Sequence, residues 1–157
     1  MSKGSPTASA GSGAWPSANA YSQAIQNPRV SLMGHELRDA TPALDRLGMP
    51  LVMSGNFAYV FKLNDPQSGR SSAVKCFRSY LGDRGVRYRE VGGHLASLNV
   101  DCLARFEYAP EGILVEGARY PILVMEWVEG PTLDVAIDCL LRDPGGVPMI
   151  RGLAEEW

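Results

Sequence analysis

The sequence predicts an α+β fold: a five-stranded antiparallel sheet with one main helix, followed by one or two further helices. Three observations predict it. β-rich runs at Leu51–Met53, Tyr59–Leu63 and Ser72–Phe77 are separated by turn signals around Gly55 and over Asn64–Gly69. Val91, Leu95 and Leu98 then recur at i, i+4 and i+7, the apolar stripe of an amphipathic helix. Phe106–Val115 and Tyr120–Val128 supply two more strand-like runs, joined by a turn at Glu116–Arg119.

Along the chain, residues 1–20 are mostly Ser, Ala, Gly and Pro, with few groups able to offset the entropy of an ordered backbone. A flexible tail is expected up to about Trp15-Pro16, with Trp15 as a lone aromatic that docks elsewhere. Residues 21–50 form an extension and connector. Tyr21–Pro28 predicts a short helix ended by Asn27-Pro28, because the residue before proline avoids the helical region. Residues 35–50 are rich in charge and turn formers. The sheet occupies 51–130. Gly92 and Gly93 weaken its helix by about 1 kcal/mol each, so packing must hold it. Leu133–Leu141 predicts a helix broken by Arg142-Asp143-Pro144-Gly145-Gly146. A second helix is expected near Pro148, since proline suits a first helical turn.

Composition narrows the function classes. The chain has 157 residues, 45% hydrophobic and 20% charged, as a single globular domain would. A net charge of −2 gives no sign of nucleic-acid or membrane binding. No apolar run is long enough to span a bilayer, and the N-terminus lacks a signal pattern, so a cytoplasmic location is expected. Cys76, Cys102 and Cys139 form no metal-type or redox pair and are expected to be reduced, partly buried thiols.

The candidate chemistry begins with Lys75. A lysine between Val74 and Cys76-Phe77, on a strand expected to be largely buried, is costly unless its ammonium meets anions. Glu90 stands at the start of the apolar helical stripe and is expected to point back at that strand. The alternative is a snorkelling edge-strand lysine and a solvated glutamate. Glu107 and Glu111 fall on or beside the next strand and are poorer partners, and Lys62 lies outside the third strand. The turn Ser54-Gly55-Asn56-Phe57-Ala58-Tyr59-Val60 is by itself compatible with a plain β-hairpin. Ile122-Leu123-Val124-Met125 is an apolar strand running into Glu126-Trp127-Val128-Glu129-Gly130.

From about Trp15 to Trp157 the chain resembles the small lobe and hinge of a bacterial serine/threonine protein kinase-like family. Ala24-Ile25-Gln26-Asn27-Pro28-Arg29, Ser54-Gly55-Asn56-Phe57-Ala58 and Met125-Glu126-Trp127-Val128-Glu129-Gly130 carry the likeness most strongly. Order and spacing matter more than any one motif. The resemblance implies a kinase-like small lobe with hinge at 51–130 and the start of a large lobe at 131–157. Aligned on Val60, the loop G-x-G-x-x-G-x-V has Met53, Gly55 and Ala58 at its three glycine positions. The implied ligand is ATP, with Gly55 and Ala58 under its phosphates, Val60 and Ala73 against the adenine, and Met125 limiting the depth of the pocket. The Glu126 carbonyl and the Val128 N–H would pair with the adenine edge, and Thr132 or Asp134 would reach the ribose. Lys75 would contact the α- and β-phosphates, held by Glu90, the two forming the catalytic pair.

In that family a catalytic loop beginning His-Gly-Asp would follow shortly after a position like Trp157. No Asp-Phe-Gly occurs in the sequence, and His35-Glu36-Leu37-Arg38-Asp39 precedes the lysine and reads as a connector. Mg²⁺ is therefore expected only together with a large lobe, and the chain alone is expected to lack phosphotransferase activity toward a protein hydroxyl. Leu133, Ile137, Leu140 and Leu141 would leave an apolar face open to self-association. Two other readings stand beside this one. A pseudokinase-like module would bind a nucleotide or partner without catalysis. An unrelated α+β interaction domain predicts that Lys75 and Glu90 do not meet.

Overall fold

A computed structural model describes residues 14–32, 36–98 and 106–155. Contacts divide the chain into two compact units, one up to Trp127 and one from Val128. Helix α1 (Ala18–Ile25) opens on Ser17, whose hydroxyl accepts from the Ala20 N–H at 3.2 Å, a normal N-cap. It therefore begins inside the segment expected to be tail. Pro28 starts a second short turn, α2 (Pro28–Ser31), as its missing N–H permits. A 3₁₀ turn follows at Glu36–Asp39, and β1 (Thr41–Pro42) leads towards the sheet.

The strands β2 (Val52–Ser54), β3 (Ala58–Asn64), β4 (Ser71–Phe77), β5 (Phe106–Val115) and β6 (Ala118–Glu126) pair antiparallel, and the sheet order is β1-β3-β4-β6-β5 with β2 also on β3. The fold is thus α+β with an antiparallel sheet. Among the described residues it has six strands, one more than expected. The extra one is β1, where Thr41 and Pro42 lie opposite Asn64 and Leu63; two residues with a proline carry no readable alternation. Asp65 builds the β3–β4 turn, accepting from the Ser68 hydroxyl at 2.5 Å and the Gln67 N–H at 2.9 Å. Between β5 and β6, Glu116 at φ 50° and Gly117 at φ 83° form a two-residue turn, the left-handed pair that suits tight hairpins. That turn starts β6 at Ala118, and the strand ends at Glu126 rather than Val128.

Each face of the sheet has its own core. On one, Phe61, Leu63, Val74, Cys76, Ile113 and Ile122 are buried against Tyr21, Ile25, Leu32 and Leu37 of the N-terminal extension. Buried Tyr21 donates its hydroxyl to the Phe77 carbonyl at 2.9 Å, and Trp15 meets Tyr120 edge-on with ring centroids 5.4 Å apart. Burial also pushes the Tyr21 phenol and the Cys76 thiol well above their ordinary ranges, so both stay protonated. On the other face, Ala58, Phe77 and Leu123 pack with Leu81, Tyr88, Phe106 and Met125. Cys139 is exposed, and Cys102 lies outside the described residues.

Helix α3 (Arg84–Ser97) covers part of this second face, but not with the expected stripe. Val91 is 48% and Leu98 39% exposed. Leu95 of that stripe is half-buried, while Gly85, Tyr88 and Gly92, spaced 3 and 4, face the sheet, with Tyr88 5.6 Å from the Phe77 ring and 6.0 Å from Tyr108. Glycine at 92 lets the helix close on Phe106, whose ring would lie 3.1 Å from an added Cβ.

The second unit is a helical hairpin of α4 (Leu133–Arg142) and α5 (Gly146–Glu155). Arg142 and Asp138 pair across one turn of α4 at 2.5 Å. The break falls at Asp143–Gly145, so α5 starts before Pro148, and a Cβ on Gly146 would collide with the Leu140 carbonyl.

Candidate functional site

Strand register gathers the candidate residues on one face. Val60 lies opposite Lys75 and Lys75 opposite Leu123; one step along, Lys62 faces Ala73 and Ala73 faces Met125. Directly opposed side chains share a face, so Val60, Ala73, Lys75 and Met125 are neighbours. Ala58, opposite Phe77, extends the patch to the glycine loop, and Met53 enters it opposite Val60. Ala58 and Ala73 are buried, while Val60, Lys75 and Met125 are half-buried. The result is a small-residue, apolar surface with Lys75 at the end nearer the loop and Lys62 further along β3.

The loop closes with the Gly55 N–H donating to the Ala58 carbonyl at 3.0 Å, and Phe57 stands 69% exposed at its tip. The fold does not itself demand glycine at 55. Its φ is not in the left-handed region, and an added Cβ would come no nearer than 3.6 Å to the Ala58 carbonyl.

Lys75 is half-buried on a strand that is largely buried as expected, but its neighbour is aromatic. Its ammonium stands 5.8 Å from the centre of the Phe77 ring, and no ion pair joins it to Glu90. Helical spacing explains the separation. With Gly85, Tyr88 and Gly92 facing the sheet, Glu90 falls on the opposite side of α3 and is exposed. The structure brings Lys75 together with the loop, Val60, Ala73 and Met125, and leaves Glu90 outside that group.

At the far end of β6, Glu126 is exposed opposite Ser72, and the Trp127 N–H donates to the Ser71 carbonyl at 3.0 Å. The first unit ends here, so the two backbone groups expected at an adenine edge, from Glu126 and Val128, belong to different units. Lys62, dismissed on sequence, stands on the same face as Ala73 with its ammonium 5.0 Å from the centre of the Trp127 ring. Simple alternation from Val60 would have found it. In the second unit, Thr132 precedes α4, and its hydroxyl holds the exposed Asp134 carboxyl below the usual value, with the Val135 N–H adding to the effect. Those two groups are engaged with each other at the helix start. His35 lies outside the described residues, while Leu37 of the same segment is buried and Asp39 pairs with Arg29 at 3.0 Å.

Among the described residues, no group of His, Cys, Asp and Glu is arranged to hold a metal ion, and no helix is long and apolar enough to cross a membrane. No protein-family model matches the chain, and no curated protein matches it.

Proposed function

We propose that the first unit is an ATP-binding small lobe of a serine/threonine protein kinase-like domain. One observation carries the reading: the register that sets Val60, Ala73, Lys75 and Met125 side by side on one face of the sheet, with Ala58 of the Gly55 loop at its end. Half-buried Val60 and Met125, on either side of buried Ala73, offer an apolar patch suited to a purine. Lys75 offers a half-buried cation at the end of that patch nearer the loop, where phosphates would lie. Glycine at 55, which the fold tolerates but does not require, leaves room for a ligand under the backbone.

ATP would supply the transferable phosphoryl group. The residues of this unit would bind and orient it: Gly55 and Ala58 by close backbone approach, Lys75 by its charge, and the Glu126 carbonyl by a hydrogen bond to the base. Transfer to a protein hydroxyl, and Mg²⁺ with it, belongs to a large lobe whose motifs this sequence does not contain.

The test is ATP binding by the whole chain, followed by calorimetry or Trp fluorescence. Lys75→Met is expected to weaken it about 10- to 100-fold, since a hydrogen bond to a charged group contributes about 1.5–3 kcal/mol. Undiminished binding in that variant, or none in the parent chain, overturns the reading. The separation of Lys75 from Glu90 is the outcome that an unrelated α+β interaction domain predicts, and among nucleotide readings it favours a module that binds a nucleotide or partner without catalysis. It is told apart by tight ATP binding that Glu90→Gln leaves unchanged; loss in Glu90→Gln restores the catalytic pair.

A further inference from the structure

The glycine loop is tied down by a residue that the nucleotide reading does not use. Arg78, one position past β4, donates from Nη1 to the Gly55 carbonyl at 2.9 Å. Its backbone N–H donates to the Phe57 carbonyl at 3.1 Å. Its guanidinium lies 5.1 Å from the centre of the Tyr59 ring, and Tyr59 in turn lies 6.1 Å from Tyr21. Two carbonyls of the loop therefore hang from one residue, and that residue rests on a ring backed by the N-terminal helix.

Such a tie has a definite use in a loop that must cover phosphates. A mobile loop loses part of its binding free energy to being ordered when ligand arrives. A carbonyl left facing the ligand would also repel a phosphate oxygen, whereas here the Gly55 carbonyl is turned to a cation. Arginine suits the place because its planar fork can stack on Tyr59 and donate at the same time, which a lysine ammonium cannot do.

We infer that Arg78 is a positioning residue that holds loop 54–58 in the conformation that receives phosphates. The inference rests on the nucleotide reading, so its test separates the two. Amide hydrogen exchange and nucleotide titration are compared in the whole chain and in Arg78→Ala, using ATP and adenosine as probes. In Arg78→Ala the amides of residues 55–58 are expected to exchange faster while β3 and β4 keep their protection. ATP affinity is expected to fall about 3- to 10-fold, the scale of one lost hydrogen bond, with adenosine affinity unchanged. Unchanged loop exchange overturns the latch itself. Equal losses for ATP and adenosine overturn its role toward phosphates. A parent chain that binds neither nucleotide removes the reading beneath it, and that result appears before any variant is made.

Discussion

At Gly112 a hydrogen atom stands where a methyl group would collide with Ile122 and would lie 2.8 Å from the Ala109 Cβ. The register between β5 and β6 shifts between Ala109 and Ile113, so the glycine sits at an irregularity where two backbones draw close. Ile122 is fully buried and has no room to yield. Gly112→Ala is therefore expected to destabilise the chain by about 1–3 kcal/mol, read as a lower midpoint in urea unfolding. Nothing in the local sequence marks this glycine, and by helix propensity Gly92 is only a weakness in α3. In the structure Gly92 is the point where α3 closes on Phe106. Only the neighbour across the gap tells a costly glycine from a necessary one, and that neighbour is not in the local sequence. Lys75 teaches the same lesson in reverse. Its half-buried place on a strand was legible from Val74 and Cys76, but the ring of Phe77 beside it was not expected.

At the scale of elements, α3 shows where periodicity stops being informative. Val91, Leu95 and Leu98 form a valid apolar stripe, yet Tyr88, whose ring meets Phe77, Phe106 and Tyr108, sets the face that α3 turns to the sheet. A stripe count weighs residues equally and ignores glycines, which pack closest of all. The rotation moves Glu90 away from Lys75. Tyr88→Ala is expected to destabilise the chain by about 2 kcal/mol, while Val91→Lys should change stability by less than about 0.5 kcal/mol. Thermal unfolding of the pair checks the orientation, and the reverse ranking would restore the expected stripe. Strands were more legible. β5 falls at its expected ends and β4 within one residue, because alternation and turn residues act locally. β1 escaped because its pairing with Asn64 and Leu63 depends on residues more than twenty positions away.

Across the whole molecule, the N-terminal extension is part of the core and no mere leader to it. Tyr21, Ile25 and Leu32 are fully buried against the back of the sheet, leaving the face of Val60, Ala73 and Lys75 for other use. The second unit contrasts with the first. Leu133 is 67%, Leu141 61% and Met149 60% exposed, and no residue of α4 is buried. Ile137 and Leu140 are half-buried, so the expected open face is present in part. Concentration-dependent association is expected, with a rise in hydrophobic-dye fluorescence. Sedimentation should show it weaken in a Leu133→Ser, Leu141→Ser double variant. A chain that sediments as a monomer at high concentration without dye binding would contradict this.

The sequence by itself determined the α+β class and the order of strands and helices along the chain. Those follow from alternation, turn chemistry and the short connections between antiparallel neighbours, all of which act within a few residues. Tertiary structure alone decided the rotation of α3, the addition of β1, the burial of the N-terminal helix and the hold of Arg78 on the glycine loop. Each depends on which side chains fill a shared space, and that competition is settled only when distant segments pack together.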